Sequence, residues 1–291
     1  MAEYFQEQGV PLDPAAHDVG ATLVRRVEAD TRRGHRRSSL TILGIRVALV
    51  VGFALLWELL SGPVLDPFFF SRPSRIIQEV GEWVASGELF FHLQFTLTAM
   101  IAGYILGVVL GLSFAIVFGL VYFLYRVTEP VVLIIYSIPS VAIGPLLIIW
   151  FGIHMLPKII LAAFFVFFVV FMNTVTGIRN VNTALIDIAL VMGASRREII
   201  TKIVLPGAYP YIVAALRITL PSALIGAVVG EFISSNRGIA YLIMESSLRF
   251  NTAGTFGALI VLGIVVVLLN AVLTPLESRL LRHLPKVEVV Q

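Results

Sequence analysis

"DIALVMGASRREIITKIVLP", residues 187–206, interrupts a chain that otherwise runs in long apolar stretches. Its charged residues are Asp187, Arg196, Arg197, Glu198 and Lys202. Each charge would cost roughly 2.5–3.5 kcal/mol at the centre of a bilayer, whereas each Leu, Ile or Val returns only about 0.3–0.6 kcal/mol. The segment therefore cannot span a membrane, and local signals give it a definite shape. Ser195 and Glu198 have the spacing of a capping box, so a helix starts just after Ser195. Gly193 stands where a preceding helix, over about 183–192, needs a left-handed C-terminal residue. Pro206 is expected to close the second helix. The result is a helix–Gly–helix elbow in water. Its Ile188, Ala189, Val191, Met192 and Ala194 offer apolar surface that calls for a partner.

The surroundings of the elbow set the fold class. Hydrophobic residues make up 58% of the chain, charged residues only 13%, and the mean hydropathy is +0.94. A water-soluble domain cannot bury so much apolar surface. Apolar runs near 42–60, 94–119, 131–152, 158–177, 212–234 and 255–273 read as transmembrane helices. The expectation is an all-α polytopic membrane protein with about six spans. An even number of spans puts both termini on one side. The first forty residues are rich in arginine, and Arg126, Arg179, Arg196, Arg197, Lys202, Arg279, Arg282 and Lys286 fall on the same side. Arg72, Arg75, Lys158, Arg237 and Arg249 fall on the other. The asymmetry predicts cytoplasmic termini and a cytoplasmic elbow within 182–207. Residues 1–40 read as a solvated, partly disordered arm with no cleavable leader, 41–284 as the membrane domain, and 285–291 as a tail. With no cysteine in the chain, disulfides and thiolate metal sites are excluded.

Three further features concern packing and passage. Gly103, Gly107 and Gly111 recur at four-residue spacing, as do Gly226 and Gly230, which suits close helix contact in lipid. "YSIPSVAIGPLLIIWFG" (136–152) puts Pro139, Gly144 and Pro145 inside an apolar run, where a break can line a transport pathway. The ionisable residues within spans are Glu58, Arg217 and Glu231; Glu231 is the one assigned to the pathway together with Pro139 and Pro145. On the outer side, "SRPSRIIQEVGEWVASG" (71–87) reads as an amphipathic interfacial helix bracing the first two spans.

Asp187-Ile188-Ala189, then Gly193, Ile203 and Leu205-Pro206 resemble the EAA loop of binding-protein-dependent ABC importer permeases. The likeness extends over about 66–284 and includes "IPSVAIGPLLIIWFGI", "LPGAYPYIVAALRITL" and "GEFI" followed by "RGIAYLI". These look like the nitrate, sulfonate, taurine and thiamine-precursor branch. The usual Glu-Ala of the motif is Asp187-Ile188 here, which keeps the charge and enlarges the second side chain. The resemblance implies a bacterial inner-membrane subunit that forms the translocation pathway for a small solute. Asp187, Ala189, Gly193, Ala194, Arg197, Leu205 and Pro206 would form its coupling loop. The implied partners are a dimer of cytoplasmic ATPases, which bind the ATP, an extracytoplasmic substrate-binding protein, and a second permease copy. Nucleic acid is not among them. The chain carries no GxxxxGK[ST] motif, so no cofactor and no catalytic residue are expected in it. An ion-coupled secondary carrier is the alternative, and it would call for mid-span acids and repeat symmetry. A membrane enzyme would need a nucleophile or metal constellation, and none is found.

Overall fold

The computed structural model describes residues 41, 42 and 44–280, with side chains as far as Val272. The predicted arm (1–40) and tail (285–291) lie outside the described residues. Apart from one bridge between Ser61 and Leu65, every regular element described is helical. The chain forms two compact units, divided between Leu65 and Asp66.

The first unit contains α1, residues 44–60. Leu49, Val50, Phe53 and Leu59 are all more than half exposed. A helix exposing apolar side chains in this way is suited to lipid. It ends in a turn where Ser61 Oγ donates to the Trp57 carbonyl at 2.8 Å.

In the second unit, α2 (Pro67–Phe70) and α3 (Pro73–Ser86) precede the long helices. Proline opens both, where its missing N–H would have no partner in any case. α3 ends on Gly87 at φ 81°, and α4 (Glu88–Leu120) follows directly. The remaining elements are α5 (Tyr122–Ser137), α6 (Ser140–Phe151), α7 (Met155–Arg179), α8 (Thr183–Val191), α9 (Arg196–Ile199), α10 (Leu205–Ser234), α11 (Ile239–Leu248) and α12 (Thr252–Leu280). Among the described residues, four helices are long and apolar enough to cross a membrane by themselves: α4, α7, α12 and the rod that ends in α10.

α7 lies at the centre. Half of its most apolar stretch is buried within the chain, against 22% for α4 and for α12. The glycine stripes explain how this is possible. A Cβ on Gly103 would lie 2.4 Å from Ala162 Cβ, and one on Gly226 would lie 2.6 Å from Ala162 Cα. Gly107 meets Val166 and Gly111 meets Val170 in the same way. α4 and α10 thus pack against α7 from two sides at backbone contact, where dispersion between helices drives association in lipid. The spacing seen in the sequence is therefore used for packing within the chain.

Several expectations are corrected. The single span near 131–152 is instead α5 and α6, bent by 88°. Ile138-Pro139 makes the break, because a residue preceding proline is pushed out of the helical region, and Ile138 takes ψ 124°. The amphipathic α3 is present, but within its own unit it braces α4 and α12, with Val80 against Gly257. Lys158, counted among the outer cations, is 1% exposed within α7. Pro206 does not end a helix. α9 runs on through a π turn at Ile200–Val204 into α10, giving one helix over Arg196–Ser234. In the wider turn the Leu205 N–H donates to the Ile200 carbonyl. Pro206 follows just where the ladder changes register, so its missing N–H interrupts little.

Candidate functional site

The elbow is built from two interlocking caps. Asn182 opens α8, its side chain accepting the Ala184 N–H at 2.9 Å. At the other end the Gly193 N–H donates to the Leu190 carbonyl at 3.0 Å, and the Ala194 N–H to the Ala189 carbonyl at 2.9 Å. These are the paired bonds of a Schellman motif, with Gly193 at φ 82°. Ser195 then caps α9: its Oγ accepts the Glu198 N–H at 3.3 Å, and Glu198 Oε2 accepts the Ser195 N–H at 3.0 Å. The predicted capping box is present. Two residues, Ala194 and Ser195, therefore close one helix and open the next.

The elbow has an inner and an outer face. Ala189 and Ala194 pack with Ile186 over Ile178, Ile199, Val204 and Ala208. The outer face carries Ile188 (57% exposed), Val191 (89%) and Met192 (81%). Such a tip, held by cap hydrogen bonds and left bare of partners within its own unit, has the form of a docking knob. Asp187, Arg197 and Pro206 are exposed, while Leu205 is half-buried at the start of α10. The structure thus brings Ala189, Gly193 and Ala194 together in one motif and sets Leu205 and Pro206 on the rod below it.

A second junction was not legible in the sequence. The first residues of α11 present three successive N–H groups, and three side chains from other helices receive them. Gly238 N–H donates to His92 Nδ1 at 3.0 Å, Ile239 N–H to Thr96 Oγ1 at 2.9 Å, and Ala240 N–H to Glu231 Oε2 at 3.0 Å. Helix N-termini leave such donors without internal partners, and here α4 and α10 supply the acceptors. Lys158 Nζ closes the end of α10 by donating to the Ser234 carbonyl at 2.6 Å, and also to the His154 carbonyl at 2.8 Å. Glu231 is 2% exposed. Its contacts make it an anchor for α11, and it does not line the cavity that Pro139 lines.

Substitution at Glu231 separates bond from charge. Glutamine keeps an oxygen able to accept the Ala240 N–H, so Glu231→Gln should melt within a few degrees of wild type in detergent. Glu231→Leu leaves a buried donor unsatisfied, at a cost of about 1–3 kcal/mol, and should melt clearly lower. Equal losses would show that the charge opposite Lys158 matters more than the hydrogen bond.

The third feature is the break between α5 and α6. A cavity of about 460 Å³ lies against it, lined by Tyr136 to Ser140, by Phe164, Phe165, Phe168 and Val169 of α7, and by Ser222 and Ile225 of α10. Pro139 is on this cavity; Pro145 is exposed on α6 and does not line it.

Comparison with known proteins gives these three features a context. A family described as "Binding-protein-dependent transport system inner membrane component" matches residues 107–283, which include the elbow and the break. A putative aliphatic sulfonates transport permease of Bacillus subtilis is 31% identical over 228 residues, 78% of this chain and 83% of that protein. A riboflavin transport system permease of Chloroflexus aurantiacus is 34% identical over 253 residues, 86% and 93% of the two chains. The taurine transport system permease of Escherichia coli is 27% identical over 250 residues, covering 84% and 90%. Among solved structures, the MetNI methionine ABC transporter in an inward-facing conformation matches with a TM-score of 0.57 at 21% identity, over 64% of this chain and 93% of that one.

Proposed function

Since the chain belongs to the family of binding-protein-dependent transport inner-membrane components, and is the permease subunit of an ABC importer, we propose that its elbow is the part gripped by a separate cytoplasmic ATPase. One observation carries this reading: an apolar tip of Ile188, Val191 and Met192 on a loop fixed by two caps. A mobile loop would dissipate a push, whereas a capped elbow transmits it. Asp187 and Arg197, both exposed, supply charges around the tip and fix the register of docking. Leu205 and Pro206 join the elbow to α10 through the π turn.

The proposed cycle has two states. The ATPases bind and hydrolyse the ATP; this chain holds none. Their closure draws together the elbows of two permease copies, and the paired membrane helices switch from inward- to outward-facing. Only a difference in how the elbow contacts the two ATPase states can drive that change. A second copy of the same chain completes the pathway, closed two-fold pairing being the commonest assembly. An external binding protein delivers the solute. In this reading the chain sits in the bacterial inner membrane with both termini and the elbow in the cytoplasm, a topology that the distribution of Lys and Arg supports.

The experiment is a cross-link. With no cysteine in the chain, Met192→Cys gives a single thiol on the tip. In membranes holding the whole transporter, a short thiol–amine reagent should join it to the ATPase subunit, and ATP should change the yield. Capture of lipid or of other membrane proteins alone would overturn the docking role. If the chain were an ion-coupled carrier, uptake would persist after deletion of the ATPase subunit.

A further inference from the structure

We infer that the cavity at the break between α5 and α6 is a binding site for an uncharged, planar heteroaromatic solute, held there on its way across the membrane. The inference rests on the permease reading above and adds a substrate class to it.

The break itself gives the first reason. Non-helical backbone at membrane depth persists where it is enclosed by protein or lines a cavity. α5 stops at Ser137, α6 starts at Ser140 at an angle of 88°, and no side chain caps the start of α6. The adjoining volume of about 460 Å³ lies within the range of small-molecule sites.

The lining gives the second reason, because it selects a chemistry. Tyr136 and Phe168 have ring centroids 5.6 Å apart at 46°, and Phe164 and Phe168 lie 4.8 Å apart at 66°. Rings tilted against one another in this way offer faces and edges to a flat π system. Ser137, Ser140 and Ser222 place hydroxyls beside the rings. Ser137 Oγ donates to the Leu133 carbonyl and Ser222 Oγ to the Ile218 carbonyl, which leaves both oxygens free to accept. A heterocycle with ring N–H groups therefore finds stacking partners and acceptors together. No residue lining the cavity is charged, so a sulfonate or carboxylate entering it would lose its water without meeting a cation. The neighbouring cavity between α4 and α7, about 410 Å³ and lined by Leu106, Leu110, Ile160 and phenylalanines, has no side chain to satisfy a polar edge. Polar side chains line only the cavity at the break, and this favours it for a solute with polar edges.

Cysteine accessibility tests the proposal. Ser140→Cys and Ser222→Cys are near-isosteric, and the parent chain has no thiol to interfere. In nanodiscs containing the permease with its ATPase, a small methanethiosulfonate reagent should modify both positions. Riboflavin, or a 4-aminopyrimidine, at several times its dissociation constant should slow the reaction at least about fivefold by occupying the site. Hexanesulfonate at the same concentration should not, and Tyr136→Ala should remove the protection. The proposal is overturned if neither thiol reacts, if hexanesulfonate protects as well as the heteroaromatics, or if no heteroaromatic protects. Failure of the ATPase to copurify with the chain would instead count against the permease reading.

Discussion

Gly193→Val should lower ATP-driven uptake by at least about tenfold, an effect equivalent to roughly 1.4 kcal/mol, while the chain still inserts into the membrane. The reason lies in the backbone. Gly193 has φ 82°, and a Cβ built on it meets nothing within 4 Å. An added Cβ therefore collides with nothing around it. What remains is the left-handed conformation, which costs an ordinary residue about 1–2 kcal/mol and a β-branched residue more. The strain falls on the bonds from Gly193 and Ala194 to Leu190 and Ala189, so the elbow would spend less time in its capped shape. A graded series checks this account. Asparagine tolerates φ > 0 and should retain most uptake, alanine should be intermediate, and valine should be lowest. An order that followed side-chain size, with alanine the most active and asparagine well below it, would point to a buried contact instead.

Gly238→Ala should be the most destabilising single methyl in the described part of the chain. Its φ is 111°, and a Cβ there would lie 2.2 Å from Glu231 Cδ. Two costs add: about 1–3 kcal/mol for a backbone at φ 111° and ψ 166°, which essentially only glycine adopts, and about 1–3 kcal/mol for overpacking. The carboxylate cannot retreat without releasing the Ala240 N–H. Gly87 serves as the control, since its φ is 81° with nothing within 4 Å of an added Cβ. Gly87→Ala should lower the thermal midpoint in detergent by only the backbone share, and Gly238→Ala by two to three times as much. Equal shifts would mean that the junction between α10 and α11 gives way easily.

Much of the elbow could be read from the residues because its determinants are local. A serine three positions before a glutamate, and a glycine just after an apolar helix, each solve a hydrogen-bonding problem within a single turn. The membrane class was legible for a similar reason, since hydropathy accumulates along the chain. What escaped was non-local. His92 and Thr96 look like polar residues at the edge of a span, yet they accept N–H groups from Gly238 and Ile239, more than 140 positions away. The burial of Lys158 was not legible either, because it depends on the Ser234 carbonyl of a different helix. Glu231 was recognised as unusual, but its hydrogen bond to the Ala240 N–H of α11 could not be read from the residues around it. Pro206 shows the opposite error: a strong local breaker was overridden by a π turn that absorbed it. The glycine stripes were visible, but which helix they met was not.

The continuity of the helix over Arg196–Ser234 has a mechanical consequence. At about 1.5 Å per residue, its 39 residues make a strut about 58 Å long. It is pressed against α7 close to its middle, by Tyr211 on Gly177, and near its far end, by Gly230 on Lys158. A strut seated in this way cannot absorb a thrust by buckling midway. Displacement applied where Arg196 begins must emerge beyond Ser234, at the seat of α11. Force delivered on one side of the membrane is thereby felt on the other.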